Sequence, residues 1–126
     1  MVIRRWLLAA AVGVAVFVVL AASGSASIGE SVNVLTFSGP VALPGVVLPA
    51  GTYTFEQAAS NTPDIVRVLG RNNKSVYFMG FTKLVERPDG LPADRPVTFA
   101  EAAPGMAPPI AAWYPIDSRT GHQFIY

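Results

Sequence analysis

Residues 46–56 read VVLPAGTYTFE, and their apolar and polar positions alternate. Tyr53 and Phe55 fall on one side of an extended chain and Thr52, Thr54 and Glu56 on the other, because successive strand side chains point to opposite faces. Pro49 suits the second position of a type I turn, and Gly51 the left-handed position after it. The spacing predicts a tight hairpin with a glycine bulge, pairing Val46–Leu48 with residues 52–54.

The same reading extends along the chain. Residues 65–69 and 76–81 are β-branched and aromatic, and the polar connection 70–75 holds Asn72 and Asn73, which tolerate positive φ; this predicts a second hairpin. Residues 82–85 form a further short strand, and the Pro-rich loop 86–96 follows. Residues 97–102 restart a strand, and Pro108 and Pro109 hold the next connection, 103–110, extended. Residues 111–114 and 123–126 make the last pair. Residues 33–37 are the first strand, and Val41–Leu43 is a short edge piece between Pro40 and Pro44.

All 11 prolines and 9 of the 11 glycines lie beyond residue 26, which leaves no stretch long enough for an amphipathic helix. Seven or eight short strands separated by turns predict an all-β fold, a small antiparallel β-sandwich in a single domain, residues 27–126. A small β-barrel is the alternative. No internal repeat or low-complexity tract is present.

The first 26 residues differ from the rest. Arg4 and Arg5 precede the uncharged apolar run from Trp6 to Ala22, and Gly24 and Ala26 then stand at the −3 and −1 positions of a cleavage site. This is the pattern of a secretory signal peptide, with cleavage after Ala26. The competing reading is a retained membrane anchor, for which an apolar run needs about 17–25 residues. With no cysteine there is no site for a lipid anchor of the lipoprotein kind. The protein is therefore expected to be exported, periplasmic or extracellular.

Charge then removes two classes of partner. Setting Arg4 and Arg5 aside leaves 7 of the 9 basic side chains against 8 acidic ones, a net charge of −1 for residues 27–126. No positive excess is left to attract nucleic acid or an anionic membrane surface. The absence of cysteine also means that the core is not stapled by disulfides, as many small exported domains are.

Candidate chemistry is sparse. Asp117, Ser118 and the single histidine, His122, stand close together in DSRTGHQFIY, but no glycine-flanked nucleophile elbow supplies an oxyanion hole. Asp, Ser, Thr and Gly are also what a β-turn is made of, so the stretch reads as a solvated turn with a half-exposed histidine. Glu86, Asp89 and Asp94 lie near one another, but Arg87 and Arg95 sit among them, and the spacing is not that of a calcium loop. With one histidine and no cysteine, zinc spacing is missing too. Glu56 and Glu101 are explained as outward residues of strands rather than as a glycosidase pair. No catalytic residue, metal or cofactor is predicted.

One pair has a binding role in prospect. Trp113 and Tyr114 are neighbours on a strand, so one ring faces outward and could serve as a platform for a sugar ring or an apolar side chain. These are the two predicted ligand-binding residues.

The segments TFSGPVALPGVVLPAGTYTFE and AWYPIDSRTGHQFIY resemble those of a group of small uncharacterised exported bacterial β-sandwich proteins. The shared positions are Leu48, Pro49, Ala50, Gly51, Thr52, Tyr53 and Phe55 of an LPAGTYxF hairpin, then Ala112, Trp113, Gly121, Phe124 and Tyr126. The hairpin is also similar to that of prealbumin-like or carboxypeptidase-regulatory-like modules. The resemblance implies an exported β-sandwich and brings no catalytic residues with it.

The expected function is thus a non-enzymatic interaction or structural module of the cell envelope or the extracellular space. Its partner would be an envelope polysaccharide or another exported protein. A carbohydrate-binding module using Trp113 or Tyr114 is the second reading. A small hydrolase using His122 with Asp117 and Ser118 is the third.

Overall fold

A computed structural model describes residues 19–20 and 31–126. The strands in chain order are β1 (Val19–Leu20), β2 (Val32–Phe37), β3 (Val41–Leu43), β4 (Val46–Leu48), β5 (Gly51–Ala59), β6 (Thr62–Gly70), β7 (Val76–Glu86), β8 (Val97–Phe99), β9 (Ile110–Trp113) and β10 (Thr120–Phe124). No helix occurs among the described residues, and every strand pair is antiparallel, as the alternating pattern predicts. The predicted leader, residues 1–26, lies outside the described residues except for Val19 and Leu20, which pair with Thr36 and Leu35.

Seven strands, in the order β2-β5-β6-β7-β10-β9-β8, form one sheet curled into a half-barrel, with β1 added beside β2. The curl turns on β7. Its first half pairs with β6, ending at Ile65↔Phe81, and its second half pairs with β10, from Phe124↔Thr82 to Thr120↔Glu86. Residues 82–85, expected as a separate strand, are therefore the second half of one 11-residue strand. A register shift in β6–β7 adds to the bend. Beside it, Tyr77 sets its ring edge-on to Tyr53, and Phe78 does the same to Phe124.

The two halves of the curled sheet face each other across Leu35, Phe37, Phe55, Val66, Val68, Val97, Ile110 and Trp113, all buried. The hairpin β3–β4 covers the remaining opening and contributes Val41, Leu43 and Leu48 to the same core. It is tied down by Ala42 N–H donating to the Pro108 carbonyl at 2.9 Å. The Tyr126 hydroxyl adds a second tie, lying 2.6 Å from the Ile110 carbonyl oxygen and 3.1 Å from that of Ala42.

One expected pairing is corrected here. Val46–Leu48 pairs with Val41–Leu43, not with residues 52–54. The tight turn is Pro44-Gly45, where Gly45 has φ 78°, the value that the third position of a type II turn demands. β5 has no edge left for β4, because β2 takes one side and β6 the other. Alternation along β5 is as expected. Tyr53 and Phe55 point into the core, while Glu56 on the opposite face forms an ion pair with Arg67 of β6.

Candidate functional site

The described residues hold two features that go beyond packing: a polar cluster inside the core, and an apolar row on the outside of the sheet. The inner cluster follows from register. β10 pairs with β9 so that His122 lies opposite Trp113, and their rings stack with centroids 5.1 Å apart and planes 22° from parallel. Trp113 is 0% exposed and His122 only 3%. The histidine expected in a solvated turn is thus an inward residue of β10. The turn before it keeps Asp117, at φ 69°, and Ser118, whose hydroxyl bonds back to Thr120.

Hydrogen bonds tie the side chains of this cluster together. The Asn33 side-chain oxygen accepts from Trp113 Nε1 at 2.9 Å and from the Ile116 backbone N–H at 3.2 Å, while its Nδ2 donates to the Val32 carbonyl at 2.8 Å. One amide thereby fastens β2 to the far end of the sheet. The Thr82 hydroxyl donates to the Asp64 carbonyl at 2.9 Å, so its oxygen is left to accept from His122 Nδ1, 3.3 Å away. That arrangement suits a neutral imidazole protonated at Nδ1.

Burial pushes the His122 pKa below its usual value, and the negative charge of Asp64 offsets only part of that effect. The unfolded chain, with its histidine near pH 6.5, binds the proton more readily than the folded one. Stability should accordingly be level above about pH 6.5 and fall as the pH drops below it. Urea midpoints at pH 7.5 and pH 5.5 test this, with His122→Gln as the non-titrating control. Equal loss in the wild type and the variant would remove His122 as the cause.

Trp113 and Tyr114 do point to opposite faces, yet neither is free. The outward ring, Tyr114, is only 7% exposed. Its ring packs against Gly121 of β10, whose missing side chain leaves room for it, and the Arg87 guanidinium sits 5.8 Å from its centroid. The exposed platform expected at this pair is therefore corrected: one ring belongs to the core and the other covers a glycine. Glu86, Asp89 and Asp94 do not converge, and among the described residues no group of three or more histidines or carboxylates is placed to hold a metal ion.

The most exposed aromatic ring among the described residues lies elsewhere. Phe81 is 65% exposed and Met79 56%, side by side on the outer face of β7. Ile65 of β6 stands opposite Phe81, and Arg67 opposite Met79. Ile125, also exposed, follows directly after β10, one residue past the Phe124↔Thr82 pair. Ile65 and Phe81 thus sit side by side across two strands, with Met79 and Lys83 on either side of Phe81 along β7. Sequence reading found VYFMGF as an apolar run but had no period to say which of its residues face outward.

Compared with models of protein families, with curated proteins and with solved structures, the chain finds no match.

Proposed function

We propose that this chain is an exported interaction module of the cell envelope or the extracellular space, with no catalytic machinery of its own, and that it works through the outer face of β7. The observation that carries this reading is the exposed pair Phe81 and Met79 on the outer face of β7, flanked by the partly buried Ile65 of β6. Contiguous exposed apolar surface on a small domain is characteristic of a contact site. The single histidine is engaged in the core, stacked on Trp113 and apart from the turn that holds Asp117 and Ser118. The basic start, apolar run and small-residue exit of residues 1–26 support export.

The partner that fits is another exported protein presenting an apolar face. Aromatic residues at the centre of such contacts commonly carry about 2 kcal/mol or more of the binding energy, roughly thirtyfold in affinity. Phe81→Ser should cause that loss while leaving the urea midpoint nearly unchanged, because the side chain is outside the core. Binding of the exported protein and of the variant to detergent-extracted envelope proteins would be compared, with peptidoglycan and insoluble polysaccharide as separate arms. Retention on polysaccharide alone would move the reading to a carbohydrate-binding module. Equal protein binding by Phe81→Ser would remove this face from consideration.

A further inference from the structure

The two edges of the curled sheet are not alike. The β8 edge is three residues long, follows Pro96 and carries a register shift at Thr98 and Phe99, all devices that discourage a further strand from adding. The β2 edge has none of them. Its six residues, VNVLTF, contain no charge and no proline, and they pair with β5 over their whole length without a bulge.

The direction of its free groups follows from one bond. Gln57 N–H donates to the Ser31 carbonyl, so residues 31, 33, 35 and 37 turn their backbone groups toward β5. Val32, Val34 and Thr36 turn theirs the other way. The strand found on that side is β1, Val19–Leu20, running antiparallel against Leu35 and Thr36. It comes from the segment whose sequence reads as a removable leader, so processing after Ala26 would take it away and leave this edge bare.

We infer that the β2 edge is a strand acceptor, held by the leader before processing and afterwards by the β2 of a second copy, which joins two sheets into one across a two-fold axis. The inference rests on the reading of residues 1–26 as a cleaved leader. The second copy is the occupant because β2 is complementary to itself. With the axis at Val34, the two Val34 residues face each other as a hydrogen-bonded pair, and Val32 faces Thr36 of the other copy. No charge opposes its like, and the partly exposed Val34 gains an apolar neighbour on the outer face.

The test is to express the full chain in an exporting bacterium, recover the exported protein, determine its N-terminus by mass spectrometry, and measure its molar mass by light scattering after gel filtration. Val34→Pro removes an outward N–H without touching the ladder to β5. Val34→Lys keeps that N–H and places two like charges opposite each other, so it serves if the proline variant does not fold. The expected result is a processed wild-type protein of twice the monomer mass, with either folded variant running at the monomer mass. A processed monomer overturns the inference and leaves the leader reading standing. A processed dimer unaffected by Val34→Lys also overturns it, since the contact would then lie elsewhere. A protein that keeps residues 1–26 overturns the leader reading, and the inference with it.

Discussion

Trp113→Ala should cost about 3–5 kcal/mol, most of the stability a domain of this size possesses. The ring is fully buried, packs against Phe55 at 5.8 Å between centroids, and stacks on His122. Its removal leaves a cavity between the two halves of the sheet, where neither half can collapse without breaking strand pairs. It also takes away the donor that Asn33 accepts from. Asn33→Ala is expected to cost about 1–3 kcal/mol, because it leaves the buried Trp113 N–H without its acceptor and removes that of the Ile116 N–H. The double variant should cost less than the two single losses added together, since both remove the same bond. Urea midpoints of the four proteins measure this. Strict additivity would mean that the Asn33–Trp113 bond contributes nothing of its own.

Gly121→Ala is the second large effect. A Cβ at residue 121 would stand 2.2 Å from Cδ1 and 2.5 Å from Cε1 of the Tyr114 ring, distances at which something must move. Tyr114 cannot easily yield, because its own N–H donates to the Pro96 carbonyl at 2.6 Å and Arg87 lies over its ring. Overpacking of this kind costs about 1–3 kcal/mol, and more where backbone must shift, so a loss of about 3 kcal/mol is expected. The diagnostic measurement is rescue. Tyr114→Ala destabilises by itself, but in its presence Gly121→Ala should become nearly neutral. If the alanine costs as much with the ring absent as with it present, the clash is not the reason glycine is needed there.

Much of the architecture was legible in the alternation of short β-branched and aromatic runs with proline and glycine. The inward placement of Tyr53 and Phe55 needed only the period of a strand. Pairing was harder to read. Two turn sequences, Pro44-Gly45 and Pro49-Ala50-Gly51, compete within eight residues, and local chemistry does not reveal that β5 will be taken on both sides by β2 and β6. Phe81 was hidden for a different reason. An apolar run without alternation leaves the choice of buried face to its neighbours, and β7 changes neighbours halfway along. His122 was placed in the turn because polar residues precede it, although Gly121, His122 and Gln123 are already paired strand. The one hint to Asn33 was a polar residue on the inward side of VNVLTF, which signals a buried amide with work to do. Its partners, Trp113 and Ile116, are 80 and 83 residues away, beyond any local pattern.

The position of β10 between β7 and β9 has a consequence in time as well as in space. β10 is the strand that joins the two parts of the sheet, so a nascent chain lacking residues 120–124 holds β7 and β9 with nothing between them. Closure of that gap, and of the Asn33–Trp113 bond across it, brings together segments far apart in sequence, the kind of step that makes folding slow. Until residues 120–124 are made, the chain has no finished sheet to fold into.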